Sequence, residues 1–210
     1  MRVRAQRVID VSNVNPADLA TLKASHAAAI ICKATAGLGF RDGVCPAARA
    51  AARKLGVPFG GYLFLHPSLV GKAQALAYLR YAQPRPDDIE PSIDSEVTDG
   101  HTMSDVARVV DECARTLEAR GYRPLLYGST SWLLSLYAER PGLRRLRVWQ
   151  AEYPASLPRT VPARLKRRAR LGRGITVALW QYTSRWQIRG RGFDGSYLLA
   201  PLDTIRIPKA

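Results

Sequence analysis

The chain has 210 residues, 47% of them hydrophobic and 23% charged, enough to bury a core and too evenly mixed to read as disordered. No apolar run approaches the ~20 residues of a membrane-spanning helix, and the basic start Met1–Arg7 is not followed by the apolar segment of a secretory signal. Lys and Arg number 32 against 17 Asp and Glu, a net charge of +15, which draws a protein to polyanions without choosing among nucleic acid, membrane surface and cell wall.

In chain order, short apolar runs alternate with helical patterns. Val8–Val11 reads as a first strand ending in an acid, Ala28–Thr35 as a second and Phe59–Leu65 as a third. Ile93–Glu96 reads as a fourth and Pro124–Gly128 as a fifth. Between them, Pro46–Leu55 opens on proline and stops at Gly56, the usual helix punctuation. Leu69–Ala82 is a further helix, halted before Pro84 and Pro86. Ser104–Arg120 carries the apolar stripe Val106, Val109, Val110, Cys113 and Leu117, with Ser104 as cap and Gly121 as stop.

After Val148 the rhythm changes: Val148–Tyr153, Thr176–Thr183 and Phe193–Leu199 read as strands with little helical signal between them. Strands joined by single helices imply parallel βα units. The expectation is therefore an α/β fold, one flattened TIM-like barrel of about eight strands whose last third is poor in helix. No linker or internal repeat appears, so residues 1–210 are expected to form a single catalytic domain, with a basic surface loop around residues 163–174. Cys32, Cys45 and Cys113 lie in apolar patterns without metal-ligand spacing, so they read as buried free thiols.

Chemistry concentrates at Asp94-Ser95-Glu96. On a strand these two carboxylates face the same way, roughly 6.5–7 Å apart along the chain, at the end where parallel barrels build active sites. Crowding pushes one pKa up while its neighbour stays ionised, the equipment for breaking a glycosidic bond. Taken alone, D-x-E is so short that a merely solvated strand end is the better reading. Asp10 and Asp194 end or lie in other predicted strands, so both can reach the same rim. Tyr62, Tyr127, Trp149, Tyr153, Trp180 and Tyr182 also cluster at strand ends, where rings can stack on sugar faces. His66 and His101 stand near strand ends, where they can line the cleft, but read rather as ordinary loop residues, and Lys33 reads as structural rather than as a Schiff-base lysine.

These motifs together resemble glycoside hydrolase family 25, the Chalaropsis-type lysozymes, over nearly the whole chain. Ile9-Asp10-Val11-Ser12 is similar to the family's opening I-D-V-S, and Cys32-Lys33-Ala34-Thr35-Ala36-Gly37 to its I-K-A-T-x-G, with Asp42 following. Gly60-Gly61-Tyr62-Leu63-Phe64 resembles G-x-Y-x-F, followed by Pro67. Tyr127-Gly128-Ser129 with Trp132 resembles the family's fifth strand. Trp149-Gln150-Ala151-Glu152-Tyr153 resembles W-x-A-x-Y, Trp180-Gln181-Tyr182-Thr183 resembles W-Q-Y-T, and Asp194 resembles the closing acid. Ala36 stands where the family often has Glu, and Leu63 where it often has His; both positions are expected near the groove.

The resemblance implies hydrolysis of the β-1,4 bond between N-acetylmuramic acid and N-acetylglucosamine in bacterial peptidoglycan. It makes Glu96 the general acid/base and Asp94 the residue that orients the substrate's 2-acetamido group for attack on the anomeric carbon. Asp10 and Asp194 then shape the field, and Tyr62, Tyr127, Trp149, Tyr153, Trp180 and Tyr182 hold the glycan. No metal or other cofactor is expected. The expected partners are peptidoglycan and, by charge, anionic wall polymers, with no specific nucleic acid, no membrane insertion and a monomeric state. Without a secretory signal the chain is expected to be made in the cytoplasm and to act on the wall as a phage lysin or virion-associated enzyme. The rivals are a non-catalytic barrel that grips glycan or nucleic acid, and a chitinase-type hydrolase.

Overall fold

The computed structural model describes residues 6–155, 171–172 and 174–209. The basic run around 163–174 lies, except for residues 171, 172 and 174, outside the described residues. The elements in order are β1 (Arg7–Val11), α1 (Leu19–Ser25), β2 (Ala29–Ala36), β3 (Phe40–Arg41), α2 (Val44–Leu55) and β4 (Phe59–Phe64). There follow α3 (Gly71–Ala82), β5 (Ser92–Asp94), α4 (Met103–Glu118), β6 (Leu125–Ser129), α5 (Thr130–Glu139), β7 (Arg147–Ala151), β8 (Val177–Ile188) and β9 (Arg191–Leu198). Short 3-10 turns span Pro141–Arg145 and Leu202–Ile205.

Eight strands close into a barrel. The hydrogen-bonded order runs β1-β9-β8-β7-β6-β5-β4-β2, β1 also pairs with β2, and β3 hangs on the edge of β2. Neighbours pair in parallel from β1 through β8, while β9 runs antiparallel to both β8 and β1. The carboxyl ends of the parallel strands therefore meet at one rim, and the amino-terminal part of β9 arrives at that rim from the opposite direction.

Strand alternation sorts the apolar residues into two layers. Val8, Ala29, Ile31, Tyr62, Leu125, Tyr127, Trp149 and Leu179 fill the barrel. Ile9, Ile30, Cys32, Leu63, Ile93, Leu126 and Val148 point outward to the helices. Leu63 is thus core beneath the helices rather than a groove residue: its odd position in β4 turns it away from the rim that Tyr62 faces. All three cysteines are buried and free.

Helix caps differ in detail from the expected ones. Thr102, not Ser104, caps α4, its hydroxyl accepting the Asp105 N–H at 3.2 Å. Helix α5, absent from the sequence reading, is capped by Ser129 and buries Leu133, Leu136 and Tyr137. At the floor of the barrel, Ile89 and Ile205 are buried, and the bridge Ile89–Arg206 holds the last turn across the opening. The chain enters at this floor through Arg7 and returns to it after Leu202. No helix among the described residues is long and apolar enough to cross a membrane.

Candidate active site

Strand β5 stops at Asp94, one residue after its last outward side chain, so Glu96 is not a strand residue as the alternation suggested. It stands exposed in the loop that follows, whereas Asp94 is only 6% exposed. The two carboxyls nevertheless meet. Burial pushes Asp94 well above the usual carboxylate range, and the negative charge and hydrogen bond of Glu96 push it further. Lys33, inward on β2, pulls the other way. Asp94 Oδ1 is buried and has no hydrogen-bond partner among the described residues.

The remaining acids join this pair by register. Asp10 on β1 lies directly opposite Asp194 on β9, which places both side chains on one face. Burial raises Asp10 well above its ordinary range, and the charges of Asp194 and Glu96 add to the rise. A hydrogen bond from Gln181 Nε2 at 3.0 Å opposes it. Asp194 is pushed up to about 6, by burial first and by Glu96 second. Asp10, Asp94, Glu96 and Asp194 therefore converge at the rim where the parallel strands end.

An open cleft of about 830 Å³ runs from Glu96 past Tyr127, Ser129, Thr130, Ser131 and Leu134 to Ala151, Glu152 and Tyr153. It combines hydroxyls, one apolar wall and two carboxylates, a lining suited to a polyhydroxylated chain. The six aromatic candidates divide by strand parity. Tyr127 and Tyr153 line the cleft, and Tyr62 lies deeper on β4 with its phenol raised chiefly by burial and then by Asp10 and Asp94. Trp149 does not line the cleft. It pairs in register with Tyr127 and packs inside the barrel, edge-on to Tyr127 at 4.8 Å and to Tyr62 at 6.2 Å, its indole N–H donating to Ser196 Oγ at 2.9 Å.

Trp180 and Tyr182 are also outside the cleft. They point to the outer face of β8 and pack with Tyr197, with Tyr182 stacked on it at 4.4 Å. The residue between them is the one that turns inward. Gln181 accepts from the hydroxyls of Tyr127 and Tyr153, each at 2.7 Å, while its amide donates to Asp10. One side chain thus ties two cleft phenols to a rim acid. Its signal in the sequence is period-two alternation, which makes 180 and 182 share a face that 181 does not, but the aromatic residues on either side carry the stronger pattern. Strand β8 pairs with β7 only as far as Gln181 and then continues with β9, so the β8–β9 hairpin stands above the rim beside Asp194. Among the described residues no three His, Cys, Asp or Glu side chains cluster as metal ligands.

Comparison with known proteins fits this architecture. Residues 9–191 match the family model described as Glycosyl hydrolases family 25. None of the curated proteins compared matches the chain. Among solved structures, the bacterial lysozyme from Streptomyces coelicolor superposes with a TM-score of 0.79 at 20% identity, over 98% of this chain and 96% of that one. A family GH25 lysozyme from Aspergillus fumigatus gives 0.78 at 20% identity, over 96% and 97%. The modular autolysin LytC from Streptococcus pneumoniae, solved with a synthetic peptidoglycan ligand, gives 0.68 at 16% identity, over 92% of this chain and 46% of that one.

Proposed function

The chain belongs to glycosyl hydrolases family 25, and from that premise we propose that it cuts the β-1,4 bond between N-acetylmuramic acid and N-acetylglucosamine in peptidoglycan. It is a glycoside hydrolase. The observation that carries the substrate and the roles is the meeting of four carboxylates beside a hydroxyl-lined cleft, with one exposed acid touching one buried acid. In a protein of net charge +15, such a concentration of like charge costs stability, and chemistry explains why it is kept. The barrel acts as one catalytic unit, as a monomer, and the surplus positive charge carries it to the anionic wall.

In this reading Asp94 and Glu96 share one proton. At rest burial holds it on Asp94, which donates to Glu96. When the substrate's 2-acetamido N–H reaches Asp94, an acceptor is required there, and the proton crosses the hydrogen bond to Glu96. Glu96 then protonates the bridging oxygen as the acetamide oxygen attacks the anomeric carbon, and the aglycone leaves. Asp94 holds the acetamide nitrogen as positive charge develops on it. Water next attacks the same carbon, passing a proton to Glu96, and the acetamide is released. Asp10, held by Gln181, and Asp194 support positive charge at the sugar. Tyr127 and Tyr153 flank the glycan.

Clearing of purified cell walls by the wild type and by Glu96→Gln tests this. The expected outcome is loss of at least ~10³-fold in rate with folding unchanged, and wild-type products bearing muramic acid at the reducing end. Equal clearing by both proteins removes Glu96 from its role. Chitin fragments in place of muropeptides would make the enzyme chitinase-type, and wall binding without cleavage would make it a binding barrel.

A further inference from the structure

Glu96 lies in the loop between β5 and α4, residues 95–102, which has little internal support. Within it His101 N–H donates to Thr98 O at 2.8 Å, and Asp99 and Gly100 turn the chain at φ of 47° and 80°. Two side chains reach this loop from outside: Trp132, whose indole N–H donates to Ser95 Oγ at 3.4 Å at the loop's start, and His66, which meets it beyond Glu96. His66 Nδ1 lies 2.9 Å from Asp99 Oδ2. The two groups are about one-third exposed, so the contact contributes little to global stability. The arrangement around His66 is more elaborate than a surface pair needs.

Its backbone is clamped from both sides by a fully buried residue. His66 N–H donates to Gln74 Oε1 at 2.9 Å, and Gln74 Nε2 donates to His66 O at 2.9 Å and Leu69 O at 3.1 Å. Its ring stands edge-on to Phe64 at 5.3 Å, and Phe64 pairs in register with Asp94. On the other side Gly37 comes so close that a Cβ there would fall 3.2 Å from the His66 ring and 2.9 Å from Leu69. The imidazole is flanked by Phe64 of β4 and by the turn at Gly37 before it touches Asp99.

We propose that His66 is a positioning residue for Glu96, fixing the 95–102 loop through Asp99 so that Glu96 stays against Asp94 and over the cleft. The inference rests on the acid/base role given to Glu96 above. Interposing a rigid imidazole between the barrel and that loop sets where the exposed carboxylate stands, and sub-ångström placement of a proton donor governs rate more than binding.

The test compares His66→Ala, Asp99→Ala, the double variant and Asp99→Asn on soluble glycan fragments, with Glu96→Gln alongside. His66→Ala and Asp99→Ala are expected each to lower kcat about tenfold with KM changed less than about twofold. The double variant should be no worse than either single. Asp99→Asn, which still accepts from Nδ1–H, should restore most of kcat. Amide exchange of residues 96–101 should quicken in both alanine variants. A double variant about a hundredfold down, an effect confined to KM, or unchanged exchange overturns the proposal. Normal His66→Ala turnover beside an inactive Glu96→Gln overturns it while leaving the role of Glu96 intact. An active Glu96→Gln removes that role itself.

Discussion

Asp194 faces Asp10 across the seam of the barrel, and its titration shows what the rim costs. Folded, it is pushed up to about 6, while the unfolded chain titrates near 3.8. Between those values the folded protein holds a proton that the unfolded chain has released, so stability falls as pH rises through this window. Above about 6 the cost is fully present. Asp194→Asn removes it. Thermal melts at pH 7.5 should place the variant about 1–2 kcal/mol above the wild type, a gap that closes towards pH 4, while wall clearing declines. A gap of the same size at both pH values would refute the assignment of the strain to ionised Asp194. At this scale the sequence named all four acids, because strand ends and D-x-E are local patterns. Gln181 and the link between His66 and Asp99 escaped it, because each is defined by partners far along the chain.

Among the elements, α3 and α4 are packed closer than any side chain permits. Gly71 opens α3, and a Cβ there would fall 2.2 Å from Val109 O and 2.9 Å from Cys113 N. Gly71→Ala must push the helices apart and should cost about 1–3 kcal/mol in urea unfolding. Gly142→Ala, where a Cβ meets nothing within 4 Å, should cost far less. The helix pattern of α4 was plain from its apolar stripe. Helix α5 was equally announced, by Ser129 at its start and by Leu133, Leu136 and Tyr137 at helical spacing, but its mostly apolar sequence blurred the periodicity. Strand β8 runs five residues beyond the expected Thr183, because pairing with β9 sustains it after β7 has ended. Length of that kind is set by a partner strand rather than by composition.

For the molecule as a whole, a surplus of 15 positive charges surrounds a rim of four acids. If long-range attraction brings the enzyme to the wall, clearing of intact walls should fall about tenfold between low and ~0.3 M salt, where the screening length shrinks to several ångströms. Turnover of uncharged soluble glycan should stay nearly constant. Parallel loss on both substrates would mean that salt acts on the rim itself. The barrel class was legible because alternating strands and helices admit few closures, and β9 entering against the others was not, since nothing local marks a strand's direction.

The floor where β1 starts at Arg7 and the last turn is pinned by Ile89 lies at the opposite end of the parallel strands from the rim that holds Glu96. A reporter or an affinity bead attached at the exposed Asp203 or Thr204 of that floor can therefore leave the working mouth unobstructed, so enzyme immobilised there should digest walls as freely as the unattached form.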